Sequence, residues 1–205
     1  MLFRSNRFGR TSPTTAAHVL EDLDGRIDAV LDAGPTTVGL ESTVLDPATM
    51  TLYRPGAVTP AMLTAATGLA VTIYTPPPRS TESPESLPSP GVGIRHYAPR
   101  AHLILIEIPS RELAEQSLTT ALTKHEGSEA IGVLLPANWK ISSTQTLKLY
   151  PWGNWSNQEE LAQRLFAGLR ALDAEGVTTI LCPIPAGEGV ALALRDRLEK
   201  AARTK

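Results

Sequence analysis

The sequence is poor in several residue classes that mark particular kinds of protein. A single cysteine, Cys182, allows no intramolecular disulfide. Aromatic residues make up only 5%, and 19 Lys and Arg nearly balance 21 Asp and Glu, which argues against a general nucleic-acid or membrane-surface binder. No apolar run approaches the ~20 residues of a membrane span, and no apolar signal core follows the first arginines. We therefore expect a cytoplasmic protein.

Proline, by contrast, is abundant and concentrated in one stretch. Six prolines and four serines lie between Pro76 and Pro90, with little apolar content. Such a composition cannot bury enough surface to fold, and it favours an extended polyproline II spacer. We expect a linker over 76–100 that separates two folded units, residues 1–75 and 101–205.

The C-terminal unit alternates short apolar runs with amphipathic segments. The predicted strands are 101–108, 131–135, 146–150 and 178–182. Ser110 is placed to cap a first helix, and Ser156 with Glu159 forms a capping box for a second helix that ends at Gly176. The apolar repeat from Val190 onward predicts a third helix. Strands that alternate with helices predict a parallel-type α/β domain.

The N-terminal unit is denser in turns. Ser12 is a natural N-cap, and Pro13 suits the first position of a helix that stops at Gly25. A short helix is expected after Thr59 and Pro60. The predicted strands are 27–31, 43–45, 50–53 and 70–74. This piece is small and its strands lack an obvious set of partners, so it resembles the end of a larger domain.

Two loops in this unit could contact an anionic ligand. Residues 6–11 run into the predicted helix start at Ser12, where free backbone N–H groups favour phosphate; an ordinary capped helix is the alternative. Residues 39–43 bring hydroxyls and a carboxylate to the mouth of a strand, where α/β proteins tend to bind ligands, although this segment taken alone favours a purely structural turn.

Two further features concern single side chains. Arg54 stands at a strand end before a tight turn, either to hold an oxyanion or as a surface arginine. His96 and Tyr97 follow the spacer, from which they could swing over a site as a lid. The four histidines are scattered and Cys182 has no partner, so the spacing predicts no metal site. Nor does it suggest a Ser/His/Asp triad.

Four motifs occur in a fixed order along the chain. They are Asn6 with 12–14, Gly39 with 41–43, 52–56, and Pro90-Gly91 with 95–99. Together they resemble the two-domain threonylcarbamoyl-AMP synthases. The resemblance implies an α/β fold class: the C-terminal portion of a YrdC-like catalytic domain over 1–75, a Pro-rich linker over 76–100 that returns over the active site, and a small Rossmann-like α/β domain over 101–205.

The resemblance also implies an activity and its site. That family makes threonylcarbamoyl-AMP and pyrophosphate from L-threonine, bicarbonate and ATP, as the first step toward threonylcarbamoyladenosine in tRNA. Carried over to this sequence, Asn6, Thr14, Arg54 and Tyr97 contact ATP, and Ser42 contacts threonine. Mg²⁺ is expected with the ATP, and partners in the tRNA pathway are possible. No catalytic nucleophile is implied.

Two departures from the family pattern shape the expectation for this chain. Arg4 stands where the family has a serine, and the family's upstream Lys-x-Arg element is absent from the sequence. We therefore expect an N-terminally truncated synthase with little or no activity by itself. The alternative is a non-catalytic binding or regulatory module that acts through residues 101–205. A third option, tRNA binding, is disfavoured by the charge of −2.

Overall fold

The computed structural model describes residues 7, 9–75, 96–125 and 130–203. The helices are α1 (Ala16–Leu23), α2 (Pro60–Thr67), α3 (Ala114–Lys124), α4 (Gln158–Ala174) and α5 (Val190–Ala202). The strands are β1 (Val44–Asp46), β2 (Thr51–Arg54), β3 (Thr72–Ile73), β4 (His102–Glu107), β5 (Ile131–Pro136), β6 (Leu147–Gly153) and β7 (Thr179–Ile184). None of the helices in these ranges has the length and apolar character that crossing a membrane requires.

The C-terminal half is built on a four-stranded parallel sheet in the order β4-β7-β5-β6, which confirms the predicted α/β class. Helix α3 packs on one face through Ala114, Leu118 and Leu122. Helices α4 and α5 contribute to a second core, whose buried members include Leu165, Leu169, Leu194, Leu198, Ile180 and Cys182. All six residues of β7 are buried, as expected for a strand that has helices on both sides.

Two helix starts in this half differ from the sequence prediction. Ser110 does not cap α3: its carbonyl accepts a turn hydrogen bond from the Leu113 N–H at 3.3 Å, and the helix begins at Ala114 without a side-chain cap. The capping box at Ser156 is also wrong, because Asn157 is the N-cap of α4. The Asn157 side chain accepts from the Glu160 N–H at 3.1 Å. The helix stop at Gly176 fits its left-handed φ of +75°.

The N-terminal half carries a three-stranded sheet in the order β1-β2-β3, with β1 antiparallel and β3 parallel to β2. Helix α2 has the predicted start, since Thr59 caps it and Pro60 is its first residue. Helix α1, however, begins at Ala16 with Thr15 as its N-cap. Ser12 is instead bonded to Glu41, so the predicted helix start at Ser12 is wrong.

One predicted strand is absent from the structure, and the predicted spacer is not among the residues that the structure describes. Residues 27–31 do not form a strand; Leu31 is 99% exposed, so this apolar run packs on no sheet within the described part of the chain. The predicted spacer from Pro76 to Pro90 lies outside the described residues, as does Pro90-Gly91 with Arg95.

Candidate functional site

The segment that follows the spacer, residues 96–99, is fixed between the two halves of the molecule. The His96 N–H donates to the Lys200 carbonyl at 3.3 Å, and the Ala98 N–H donates to the Gly9 carbonyl at 3.1 Å. Main-chain bonds from both sides therefore set the position of the residue between them, Tyr97. That residue has a left-handed φ of +63°, which costs a non-glycine residue about 1–3 kcal/mol and persists only where the surroundings enforce it.

The Tyr97 side chain is buried. It is 1% exposed, and its ring centroid lies 5.9 Å from that of Phe166 on α4. On another side the guanidinium carbon of Arg197 lies 5.2 Å from the ring centroid. Burial raises the pKa of Tyr97 and Glu41 raises it further, whereas Arg197 and Arg54 act in the opposite direction. The phenol is therefore held in its neutral form.

Glu41 is the carboxylate at the centre of this cluster. It accepts a hydrogen bond from the Ser12 hydroxyl and, at 2.7 Å, another from Arg197 Nε. Arg197 comes from α5 and is fully buried, and it also donates to Asp196 at 2.6 Å. A buried guanidinium needs such partners because an unpaired charge in the interior is very costly. Residues from both halves of the chain thus meet at Glu41.

Ser42 and Arg54 are in direct contact next to this cluster. Arg54 Nε donates to the Ser42 carbonyl at 2.9 Å, and Nη2 donates to the Ser42 hydroxyl at 3.3 Å. The turn after Arg54 packs closely here, since a Cβ on Gly56 would come within 2.8 Å of the Glu41 carbonyl. Two motifs that are separate in the sequence therefore form one surface.

Gly39 fixes the other end of the same loop. A Cβ at this position would overlap the backbone of α4 at Gln163, and the φ of Gly39 is +74°. Only glycine meets both demands without strain. The loop that carries Glu41 and Ser42 is consequently seated on the C-terminal half.

Thr14 is buried, but its polar atoms face α1. Its N–H donates to His18 Nδ1 at 3.2 Å, and its hydroxyl lies at the same distance from that nitrogen. Its carbonyl accepts from the Thr36 N–H at 2.9 Å. Burial lowers the pKa of His18, and Arg170 lowers it further, so the ring is neutral near pH 7. Asn6, the remaining predicted nucleotide contact, lies outside the described residues.

An open cleft of about 450 Å³ lies beside Ser12 and Glu41. Its lining residues are Ser12, Pro13, Thr36, Thr37, Val38, Gly39, Leu40 and Glu41. The cleft thus combines hydroxyls, backbone groups and a carboxylate whose charge is offset by a buried arginine. Within the described ranges, no three His, Cys, Asp or Glu side chains gather as a metal site.

The sequence interpretation missed two arginines that attach this cleft to the C-terminal half. They are Arg197 on α5 and Arg170 on α4, and both are buried. A signal was present for the first of them: Arg197 falls within the apolar stripe of α5, between Leu194 and Leu198. A charged residue in such a stripe indicates a buried ion pair, although it does not identify the partner.

Two family models match the chain. The model described as "Threonylcarbamoyl-AMP synthase, C-terminal domain" matches residues 58–203, and the model described as "Telomere recombination" matches residues 4–56. Curated relatives include the threonylcarbamoyl-AMP synthase of Pyrococcus abyssi, 32% identical over 96% of this chain and 56% of its own length. The Bacillus subtilis synthase is 34% identical over 97% of this chain and 55% of its own length. The chain spans about half the length of these relatives.

Solved structures of a relative superpose on nearly the whole of this chain. The crystal structure of P. abyssi Sua5 complexed with L-threonine superposes with a TM-score of 0.81 over 98% of this chain and 56% of the other, at 32% identity. A second structure is a variant of that protein with an adjacent histidine and tyrosine replaced by alanine. It gives a TM-score of 0.80, at 32% identity over 97% of this chain and 55% of the other.

Proposed function

The chain belongs to the threonylcarbamoyl-AMP synthase family, and from this premise we propose that its cleft serves the synthesis of threonylcarbamoyl-AMP. The reaction joins L-threonine, bicarbonate and ATP and releases pyrophosphate and water. Its product leads toward threonylcarbamoyladenosine in tRNA. The substrates are thus ATP, bicarbonate and threonine, with Mg²⁺ carried on the triphosphate.

The observation that carries the proposal is the convergence of Ser42, Arg54 and Tyr97. Arg54 bonds Ser42 directly, and its charge partly opposes the rise that burial causes in the pKa of Tyr97. Ser42 lies just before β1 and Arg54 ends β2 of the same hairpin, Tyr97 follows the spacer, and these are the residues that the family pattern assigns to threonine and ATP. The pairing of β1 with β2 by itself brings Ser42 near Arg54, but it does not require Tyr97 to lie near them.

The chemistry needs alignment more than a nucleophile from the protein. The threonine amine first combines with bicarbonate to give a carbamate and water. A carbamate oxygen then attacks the α-phosphorus, and the bond to the bridging oxygen breaks so that pyrophosphate leaves with the electron pair. A hydroxyl such as that of Ser42 orients the amino acid, and the Arg54 guanidinium offsets phosphate charge. Asn6, Thr14 and Tyr97 are proposed as further nucleotide contacts.

The comparisons support two parts of this assignment. The P. abyssi neighbour was crystallised with L-threonine, which supports threonine as the amino-acid substrate. Its variant replaces an adjacent histidine and tyrosine, and this chain has one such pair, His96-Tyr97. The pair lies against Lys200 and Arg197 beside the cleft.

Calorimetric titration with ATP and with L-threonine tests the proposal, together with pyrophosphate release. Both measurements are made on the natural polypeptide that contains this sequence. Ser42→Ala should weaken threonine binding and Arg54→Ala should weaken ATP binding, whereas the exposed control Arg26→Ala should change neither. A docking module that acts through residues 101–205 would be indifferent to Arg54→Ala and Tyr97→Ala, and that result would refute the proposal.

A further inference from the structure

We propose that Arg197, on helix α5 of the C-terminal half, is a positioning residue for threonine binding. The inference rests on the proposed function and concerns a residue that does not itself line the cleft. Arg197 acts through Glu41, which lines the cleft, and through the residue that follows it, Ser42.

The guanidinium of Arg197 holds both the side chain and the main chain of Glu41. Nε donates to the Glu41 carboxylate at 2.7 Å, and Nη2 donates to the Glu41 carbonyl at 3.3 Å. Nη1 is held by Asp196 at 2.6 Å, so the guanidinium itself is fixed. Bonds to two groups of one residue set its orientation as well as its position. Because Ser42 is the next residue, its position beside Glu41 is set by the same contacts.

The charge of Arg197 matters as much as its geometry. The Glu41 carboxylate borders the cleft, where the carboxylate of a bound threonine would be repelled by an uncompensated negative charge. The neighbouring guanidinium offsets that charge. The same carboxylate also accepts the Ser12 hydroxyl, which keeps it against the wall of the cleft. Without Arg197, the Glu41 carboxylate keeps the Ser12 hydroxyl as a partner but loses its counter-charge.

The side chain of Arg197 is held in place by its surroundings. It is fully buried, and the ring of Tyr97 lies 5.2 Å from its guanidinium carbon. Tyr97 itself is fixed by its packing on Phe166. Because Arg197 is fixed on α5 and bonds Glu41, the position of Glu41 depends on the position of α5. The C-terminal half, whose sheet carries none of the predicted site residues, thereby helps to shape the threonine site.

The test compares Arg197→Met, Arg197→Lys and the matched control Arg195→Met in the complete natural polypeptide. Arg195 lies on the same helix and pairs with Glu107 and Glu199, away from the cleft. Calorimetric titration should show threonine affinity weakened about tenfold or more in Arg197→Met, a difference of about 1.4 kcal/mol per tenfold. Arg197→Lys should recover part of the loss, because one ammonium can bond the carboxylate but cannot hold the carbonyl in the same fork. ATP affinity should fall less than threonine affinity in each variant, because Arg197 reaches the proposed nucleotide contacts only through the ring of Tyr97.

The possible outcomes separate this inference from the function on which it rests. If the wild-type polypeptide binds no threonine, the proposed function fails and the inference fails with it. If the wild type binds threonine and a folded Arg197→Met binds it equally well, only the inference is overturned. If Arg197→Met does not fold, Arg197→Lys and Arg197→Gln are titrated in its place. A selective loss of threonine affinity in both supports the inference, and unchanged affinity overturns it.

Discussion

Arg170 on α4 fastens α1 and the loop before it to the C-terminal half, and its removal should cost substantial stability. Nη2 donates to Asp22 and to the Thr11 carbonyl, each at 2.6 Å, and Nη1 donates to Glu21 at 3.1 Å. The side chains of Arg170 and Asp22 are only 8% and 10% exposed. Arg170→Met therefore leaves a buried carboxylate without its cation and a carbonyl without its donor.

The magnitude follows from this burial. Breaking a buried ion pair by removing one partner costs about 3–5 kcal/mol. Helix α1 has only eight residues and lies at the surface, so it can shift and expose Asp22 to water, which places the expected loss at the lower end, about 3 kcal/mol. For a chain of this size such a loss lowers the melting temperature by about 6–12 °C. Asp22→Asn in the Arg170→Met background should restore part of the loss.

Scanning calorimetry and urea unfolding followed by far-UV circular dichroism measure the effect. Both report on the whole chain, whereas tryptophan fluorescence would report only on the C-terminal half. The control is Arg195→Met, whose partners Glu107 and Glu199 are 71% and 50% exposed, and it should cost only about 0–1 kcal/mol. A loss below about 1 kcal/mol for Arg170→Met, or one equal to that of the control, would refute the reasoning.

Three further predictions test other parts of the fold. Gly39→Ala should destabilise by about 2–4 kcal/mol in urea unfolding, because the new Cβ meets the α4 backbone at a positive φ; a loss under about 0.5 kcal/mol would contradict this. Asn157→Ala should cost about 1 kcal/mol in the same assay while Ser156→Ala costs almost nothing, and equal losses would restore Ser156 as the cap. Burial and Arg170 lower the pKa of His18 below its unfolded value, so the unfolded chain protonates first. The His18 contribution to stability is complete above about pH 6.5 and declines as the pH falls through the folded pKa; His18→Gln should flatten this decline in melting temperature, and an unchanged slope would count against it.

Local patterns predicted the elements well where each element is specified by its own residues. The strands β4, β5, β6 and β7 were expected from apolar runs, and the parallel arrangement followed from their alternation with helices. Helix α2 was expected from Thr59 and Pro60. These predictions succeeded because a strand or helix that is buried against a sheet carries apolar residues on its buried side. Those residues recur in the sequence with the period of the element.

Predictions that depended on a single polar side chain were less secure. Ser12 is an apt N-cap by type, yet its hydroxyl bonds Glu41 and leaves the capping role to Thr15. Ser156 is likewise apt, but Asn157 is the cap of α4. A serine has one hydroxyl, and which acceptor or donor it meets is decided by the chain that packs against it.

The sequence by itself determined the fold class of the C-terminal half and the family to which the four ordered motifs point. Both depend only on residue types and on their spacing along the chain. Only the tertiary structure decided how the cleft is held together. Arg197 and Glu41 are 156 positions apart, and nothing in the spacing of either residue identifies the other. A buried charge requires a counter-charge, but the requirement can be met by any segment that folding brings within reach. The sequence therefore shows that Arg197 needs a partner, and the packing of α5 against the loop of Glu41 determines which one it has.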